Sequence, residues 1–145
     1  MDNVENFKLL LNEINAEMGQ SFALDENNGF SFVCLDVAVN VTVLPESGYV
    51  ILGSRLGLLG DDANAANRVR WFLEQNDGLL DSNGFTYSLD ETDGSAWIAD
   101  RREIGEIENA DAFAAWVDSL VQTVHKAWNV TEYEFPYVDD GEEGV

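Results

Sequence analysis

The spacing of apolar residues changes twice along this chain, and each change marks a boundary that its fold must respect. Val4, Phe7, Leu10, Leu11, Ile14 and Met18 recur every three or four positions, which puts them on one face of a helix over residues 2–18. Leu9 widens that stripe, Asp2 and Glu5 suit the positive N-terminal end, and Gly19 supplies a stop. Past the turn signal Asn27-Asn28-Gly29 the period falls to two. Val37, Val39, Val41 and Val43 then line one face of an extended segment, with Asn40 and Thr42 on the other. A chain with both periods is neither all helix nor all sheet.

Two strands are expected here, over 30–36 and 37–44. The first is apolar on both faces, with Phe30, Phe32 and Cys34 opposed to Val33 and Leu35. The turn Pro45-Glu46-Ser47-Gly48 leads into a third strand, 49–58. Val50, Leu52, Leu56 and Leu58 lie on one side of it and Tyr49 and Ile51 on the other, with Gly53 and Gly57 weakening its end. Asp61 and Asp62 cap a helix over 63–75, whose apolar positions are Ala63, Ala66, Val69, Phe72 and Leu73, with Trp71 to one side. Asn76-Asp77-Gly78 ends it. Ser82-Asn83-Gly84 leads into a strand over 85–90, and Thr92-Asp93-Gly94 turns it into a partner over 95–104. The last helix, 110–128, carries the stripe Phe113, Val117, Leu120, Val121, Val124 and Trp128. It would run about 28 Å, enough to lie across a sheet.

The order is α-βββ-α-ββ-α. Short connections within each group of strands call for antiparallel pairing, so the expected fold is α+β with a five-stranded antiparallel sheet. One domain over 1–131 is expected. Residues 132–145 carry six carboxylates and no base and read as a mobile acidic tail.

Charge narrows the function. The chain has 28 acidic and seven basic side chains, a net charge of -21, yet it is 46% hydrophobic. Without the six acids of the tail, 22 carboxylates still face seven bases. Such a surface argues against binding nucleic acid or an anionic membrane, where phosphate contacts call for Lys and Arg. Four Trp, four Tyr and eight Phe argue for a folded, adhesive protein that its charge keeps soluble. The acidic start has no basic stretch of a secretory leader, and no apolar run approaches the ~20 residues of a membrane span. A cytoplasmic protein is expected, in which Asn40-Val41-Thr42 and Asn129-Val130-Thr131 carry no glycan.

Little points to chemistry. Cys34 is alone and reads as a buried apolar residue. His125 is the one histidine, lies beside the apolar stripe of the last helix and has no partner motif. There is no phosphate loop, nucleophile elbow or zinc motif. Asp90-Glu91-Thr92-Asp93-Gly94 fails as a calcium loop, because Gly94 at the sixth position puts Leu89 first and Asp100 last. No catalytic residue, metal ligand or cofactor is assigned. A small hydrolase using paired carboxylates remains as the enzymatic alternative.

What remains is surface. Either helices cover both faces of the sheet, or its apolar surface or an edge strand receives another chain. Val69, Trp71 and Phe72 spread around the middle helix, which suggests a second neighbour and hence dimerisation.

Several segments in this order resemble the Tir-chaperone-like family of class I type III secretion chaperones. Phe7-Lys8-Leu9-Leu10-Leu11 resembles its opening helix. Phe32-Val33-Cys34-Leu35-Asp36 with Val39-Asn40-Val41-Thr42-Val43 resembles its first strand pair. Trp71-Phe72-Leu73-Glu74-Gln75-Asn76, with its Leu-x-x-Asn, resembles the end of its middle helix, and residues 113–128 its closing helix. The resemblance implies a homodimer without enzymatic activity in the bacterial cytoplasm, binding the extended N-terminal segment of a secreted effector. It places Val69, Trp71, Phe72 and Leu73 on or near the dimer helix. It places Phe7, Leu10, Phe30, Phe32 and Leu35 where effectors bind. A regulatory interaction module on the same fold is the alternative.

Overall fold

The computed structural model describes residues 2–60, 63–77 and 84–134. In chain order it has α1 (Asn3–Met18), β1 (Gly29–Cys34), β2 (Val37–Val43), β3 (Tyr49–Leu58), α2 (Ala63–Asn76), β4 (Thr86–Asp90), β5 (Ser95–Glu103) and α3 (Ala110–Glu134), with a short 3-10 helix, Ile104–Glu106, before α3. The strands form one five-stranded sheet in the order β1-β2-β3-β5-β4. β1 pairs antiparallel with β2, β2 with β3, and β4 with β5. The α+β architecture and the element order are those read from the sequence. The residues group into two compact units, Met1–Gly53 with Asp100–Ser119 and Ser54–Ala99 with Leu120–Val145.

In the first unit α1 begins where the Asp2 side chain accepts a hydrogen bond from the Glu5 amide. It ends at Gly19, whose φ of 64° puts it in the left-handed region that favours glycine. Phe7, Leu10, Leu11 and Ile14 form its buried face. The four valines of β2 are at most 1% exposed, each such side chain stabilising the fold by about 1.5–3 kcal/mol. The register sets Phe30 opposite Val41, Phe32 opposite Val39 and Cys34 opposite Val37, so these six share the core face. The reverse face carries Ser31, whose hydroxyl donates to the Asn40 side chain, along with Val33, Ala38 and Thr42.

β1 is shorter than expected. Leu35 and Asp36, read as its end, form instead the two-residue turn to β2, with φ of 48° and 70°. Both lie in the left-handed region that two-residue hairpin turns require. Trp116, omitted from the apolar stripe of the last helix, is 1% exposed in this unit. Its indole N–H donates to the Asp100 carboxylate at 3.0 Å, and the Arg102 guanidinium lies 4.8 Å from its ring centre.

The second unit packs α2 on β4. Phe72 stacks on Tyr87 with ring centroids 4.9 Å apart, and Trp71 meets both rings edge-on. Arg68, a residue type ordinarily left to solvent, is fully buried and donates through Nη2 to the Leu59 carbonyl. The α3 residues of this unit bury Leu120, Val121, Val124 and Ala127 together with Thr123 and Thr131. The Thr131 hydroxyl donates back to the Ala127 carbonyl, which makes a threonine compatible with a buried helical face. Trp128 is half-buried and donates its indole N–H to the Leu56 carbonyl at 3.0 Å. The helix therefore continues past Trp128 to Glu134 and absorbs the first residues assigned to the tail. Residues 135–145, the Asp61-Asp62 cap and the Gly78 and Ser82-Asn83 turn positions lie outside the described residues.

The β4–β5 turn is built from its own side chains. Asp90 accepts from the Thr92 amide and Asp93 from the Ser95 amide and hydroxyl. The Ser95 hydroxyl first, and its amide second, hold the Asp93 carboxyl below the usual carboxylate range. Among the described residues no helix is long and apolar enough to cross a membrane.

Candidate partner-binding surface

β1 is an edge of the sheet, and the ladder alternation decides which of its backbone groups face outward. The Asn28 carbonyl accepts from the Val43 amide at 2.9 Å. In the same register Phe30, Phe32 and Cys34 are the hydrogen-bonded partners of Val41, Val39 and Val37. Gly29, Ser31 and Val33 therefore turn their N–H and C=O groups away from β2. At Gly29 the outward side is closed. Its amide donates to the Asp25 side chain at 3.0 Å, and its carbonyl accepts from the Asp25 amide at 2.9 Å. Glycine is needed there, because a Cβ would come within 2.9 Å of the Val41 carbonyl oxygen. Beyond it, no described residue hydrogen-bonds the outward backbone groups of Ser31 and Val33. The Val33 side chain is 72% exposed, and Leu35 in the adjoining turn is 71% exposed.

Against the core face of this strand lies a row of aromatic rings. The Asn15 side chain donates to the Phe22 carbonyl and accepts from the Phe22 amide, both at 2.9 Å. Held in this way, the Phe22 ring stacks at 4.9 Å on both Phe30 and Phe32, and Phe7 meets Phe30 at 6.4 Å. Aromatic pairs of this kind contribute about 0.5–1.5 kcal/mol each beyond their burial. Of the five residues assigned to partner binding, Phe7, Leu10 and Phe30 are buried, Phe32 is half-buried and Leu35 is exposed. The first three pack beneath the surface, and only Phe32 and Leu35 reach it. Phe22 has no place among the sequence-based expectations, and Val33 enters them as a residue of the first strand but not as a partner-binding one. An aromatic alone in a polar stretch after a helix stop was the available signal for Phe22.

In the second unit, Val69 is half-buried and Leu73 is 63% exposed on α2. Together with Phe72, Asn76, Tyr87, Ser88 and Leu89 they line a shallow hollow of about 170 Å3. Phe72 is 3% exposed and Trp71 half-buried, both turned to Tyr87. Of the four residues placed on or near the dimer helix, Leu73 is thus the exposed one, Val69 and Trp71 are half-buried and Phe72 is buried. The same helix end caps the other edge of the sheet at Tyr87. The Asn76 side chain donates to the Tyr87 carbonyl at 3.1 Å and accepts from the Tyr87 amide at 2.8 Å. One amide side chain here does what a neighbouring strand residue would do.

A sequence model of the Tir chaperone protein (CesT) family matches residues 9–127 of this chain. No curated protein sequence matches it. Among solved structures, the ExsC-ExsE complex contains a chain of the same fold, with TM-score 0.73 and 18% identity over 96% of this chain and 100% of that one. A chain of the HopA1-SchA chaperone-effector complex superposes with TM-score 0.69 and 14% identity over 85% and 93% of the two chains. The Yersinia pestis type III secretion chaperone SycH in complex with a stable fragment of YscM2 gives 0.62 and 17% over 83% and 98%. At these identities the likeness is one of fold.

Proposed function

Because this chain belongs to the Tir chaperone protein (CesT) family, we propose that it is a cytoplasmic type III secretion chaperone. It binds the extended N-terminal segment of a secreted effector and keeps that segment unfolded, soluble and fit for export. The similar chains are solved in complexes with partners, one of them described as a chaperone-effector complex. The reading is one of binding, with no chemical step.

The observation that carries it is the open stretch of β1. Ser31 and Val33 present two successive pairs of unused backbone groups, and an extended chain is the ligand that satisfies such a row. Phe32, Val33 and Leu35 add apolar contacts at the same place. Burial at ~25 cal/mol per Å² favours binding, and the cost of ordering the client reduces it. A homodimer through α2 completes the reading, with Leu73 as its exposed apolar residue, Val69 half-buried beside it, and Trp71 and Phe72 fixing the helix against Tyr87 from behind.

The test is to co-purify the tagged chain with its client from the native host. The complex is then analysed by limited proteolysis, amide exchange and light scattering. A protected, unfolded client N-terminus, slowed exchange at Ser31 and Val33, and a chaperone dimer that Leu73→Glu separates are expected. A client held only as a folded domain, with β1 exchange unchanged, would remove the chaperone reading.

A further inference from the structure

The β1 edge also carries information about the charge of what it binds. Residues 9–54 contain Glu13, Glu17, Asp25, Glu26, Asp36 and Glu46 but no lysine or arginine. All six carboxylates are exposed. Three of them bracket the open stretch of the edge. Asp25 and Glu26 lie in the turn that closes it at Gly29, and Asp36 lies in the turn that follows Cys34. β1 is six residues long, so about 20 Å of strand separates the two acidic ends. The first unit holds three bases, Lys8, Arg101 and Arg102. Arg101 lies over the Tyr49 ring and Arg102 over Trp116, and Lys8 is on α1.

From this arrangement we infer that the β1 edge selects an extended segment with basic residues flanking an apolar, alternating core. The inference rests on the reading of β1 as the strand-adding edge. The core pairs with Ser31 and Val33 and sets apolar side chains beside Phe32, Val33 and Leu35. The flanking bases come to lie by Asp25 and Glu26 at one end and Asp36 at the other. Both ends are acidic, so the preference is the same for a parallel and an antiparallel client. It also excludes acidic segments, including other stretches of this anionic chain, which would otherwise compete for an exposed edge.

Three fluorescein-labelled synthetic peptides test this. They share a core of alternating valine and threonine and carry two lysines, two glutamines or two glutamates at each end. Binding to the full chain is followed by fluorescence anisotropy. Each exposed charge pair changes affinity by about 1.5- to 5-fold, so the lysine peptide is expected to bind about tenfold more tightly than the glutamate peptide in about 20 mM salt. The gap should largely close in about 500 mM salt, where screening is strong. Glu26→Gln with Asp36→Asn should narrow it in low salt, and asparagine suits the left-handed backbone at position 36. Equal affinities for all three peptides, each lost in Val33→Pro, would overturn the charge selection and leave the strand-adding edge standing. Failure of every peptide to bind in any salt would overturn both.

Discussion

The two edges of the sheet are capped at different points and by different side chains. At β4 the Asn76 side chain occupies both outward backbone groups of Tyr87, and the turn that follows is tied by Asp90 and Asp93 to its own amides. Among the described residues, the corresponding groups of β1 are occupied only at Gly29, by Asp25. Beyond it the strand stays open, and its turn sets an exposed leucine in a left-handed conformation. Open edges invite aggregation and are usually blocked. Asn76 caps β4 at Tyr87 and leaves Leu89 as the outward position beyond it, whereas Asp25 caps β1 at its first residue and leaves two successive outward positions, Ser31 and Val33, without a described partner, so β1 offers the longer row for strand addition.

The largest effect should come from removing the β4 block. Asn76→Ala leaves a donor and an acceptor of Tyr87 without their partner, and is expected to lower stability by about 3 kcal/mol in urea unfolding. It should also make self-association rise with concentration. Asn76→Asp keeps the acceptor for the Tyr87 amide and should lose about half as much.

The second test closes the open edge instead. Val33→Pro removes one outward N–H and puts a ring in the path of an added strand, while the ladder to β2 does not use that N–H. The fold should persist, and client binding should weaken by about 2 kcal/mol, about thirtyfold in Kd. Equal binding by this variant would mean that the two edges do not differ in use.

Leu35→Asn is a smaller and double-sided change. Asparagine tolerates φ near +50°, so stability should rise by about 1 kcal/mol, visible in the urea midpoint. Client affinity should fall as the exposed apolar contact is lost. An increase in both would show that Leu35 is only strained.

The smallest concerns the β4–β5 turn. The Asp93 carboxyl is held low by the Ser95 hydroxyl and amide, so its folded-state pKa lies below the ordinary value of about 3.9. Its contribution is present above that value and is lost as pH falls through the folded pKa. A carboxyl titration by NMR should give an Asp93 midpoint below 3.9, and Ser95→Ala should move it up toward that value.

Much of this was legible in the chain. The Val37–Val43 alternation and the spacing of Phe7, Leu10, Leu11 and Ile14 predicted a strand and a helix whose faces the structure buries. Trp116 was within reach, since it lies three residues after Phe113 and four before Leu120. Other features run against residue preference. Leu35 gives no sign of a turn that needs positive φ, and Asp36, a residue that tolerates it, gives a weak one, so the expected first strand runs two residues too far. Arg68 is buried because its guanidinium finds the Leu59 carbonyl, a contact that appears only after folding. The capping of Tyr87 by Asn76 depends on a strand that follows it in sequence, and the Leu-x-x-Asn pattern records the residue without its purpose. The asymmetry of the edges therefore had to come from the hydrogen bonds, although all the residues that produce it were in view.

The first unit also holds one indole. Of the four tryptophans, Trp71, Trp97 and Trp128 fall in the second unit and Trp116 alone in the first. Its ring is buried, with a guanidinium over one face and a carboxylate at its N–H. Replacing the other three with phenylalanine would leave a protein whose ultraviolet emission comes from that one site. A quencher dissolved in the buffer would reach it only when the unit opens, so its emission becomes a clock for opening of the unit that carries β1.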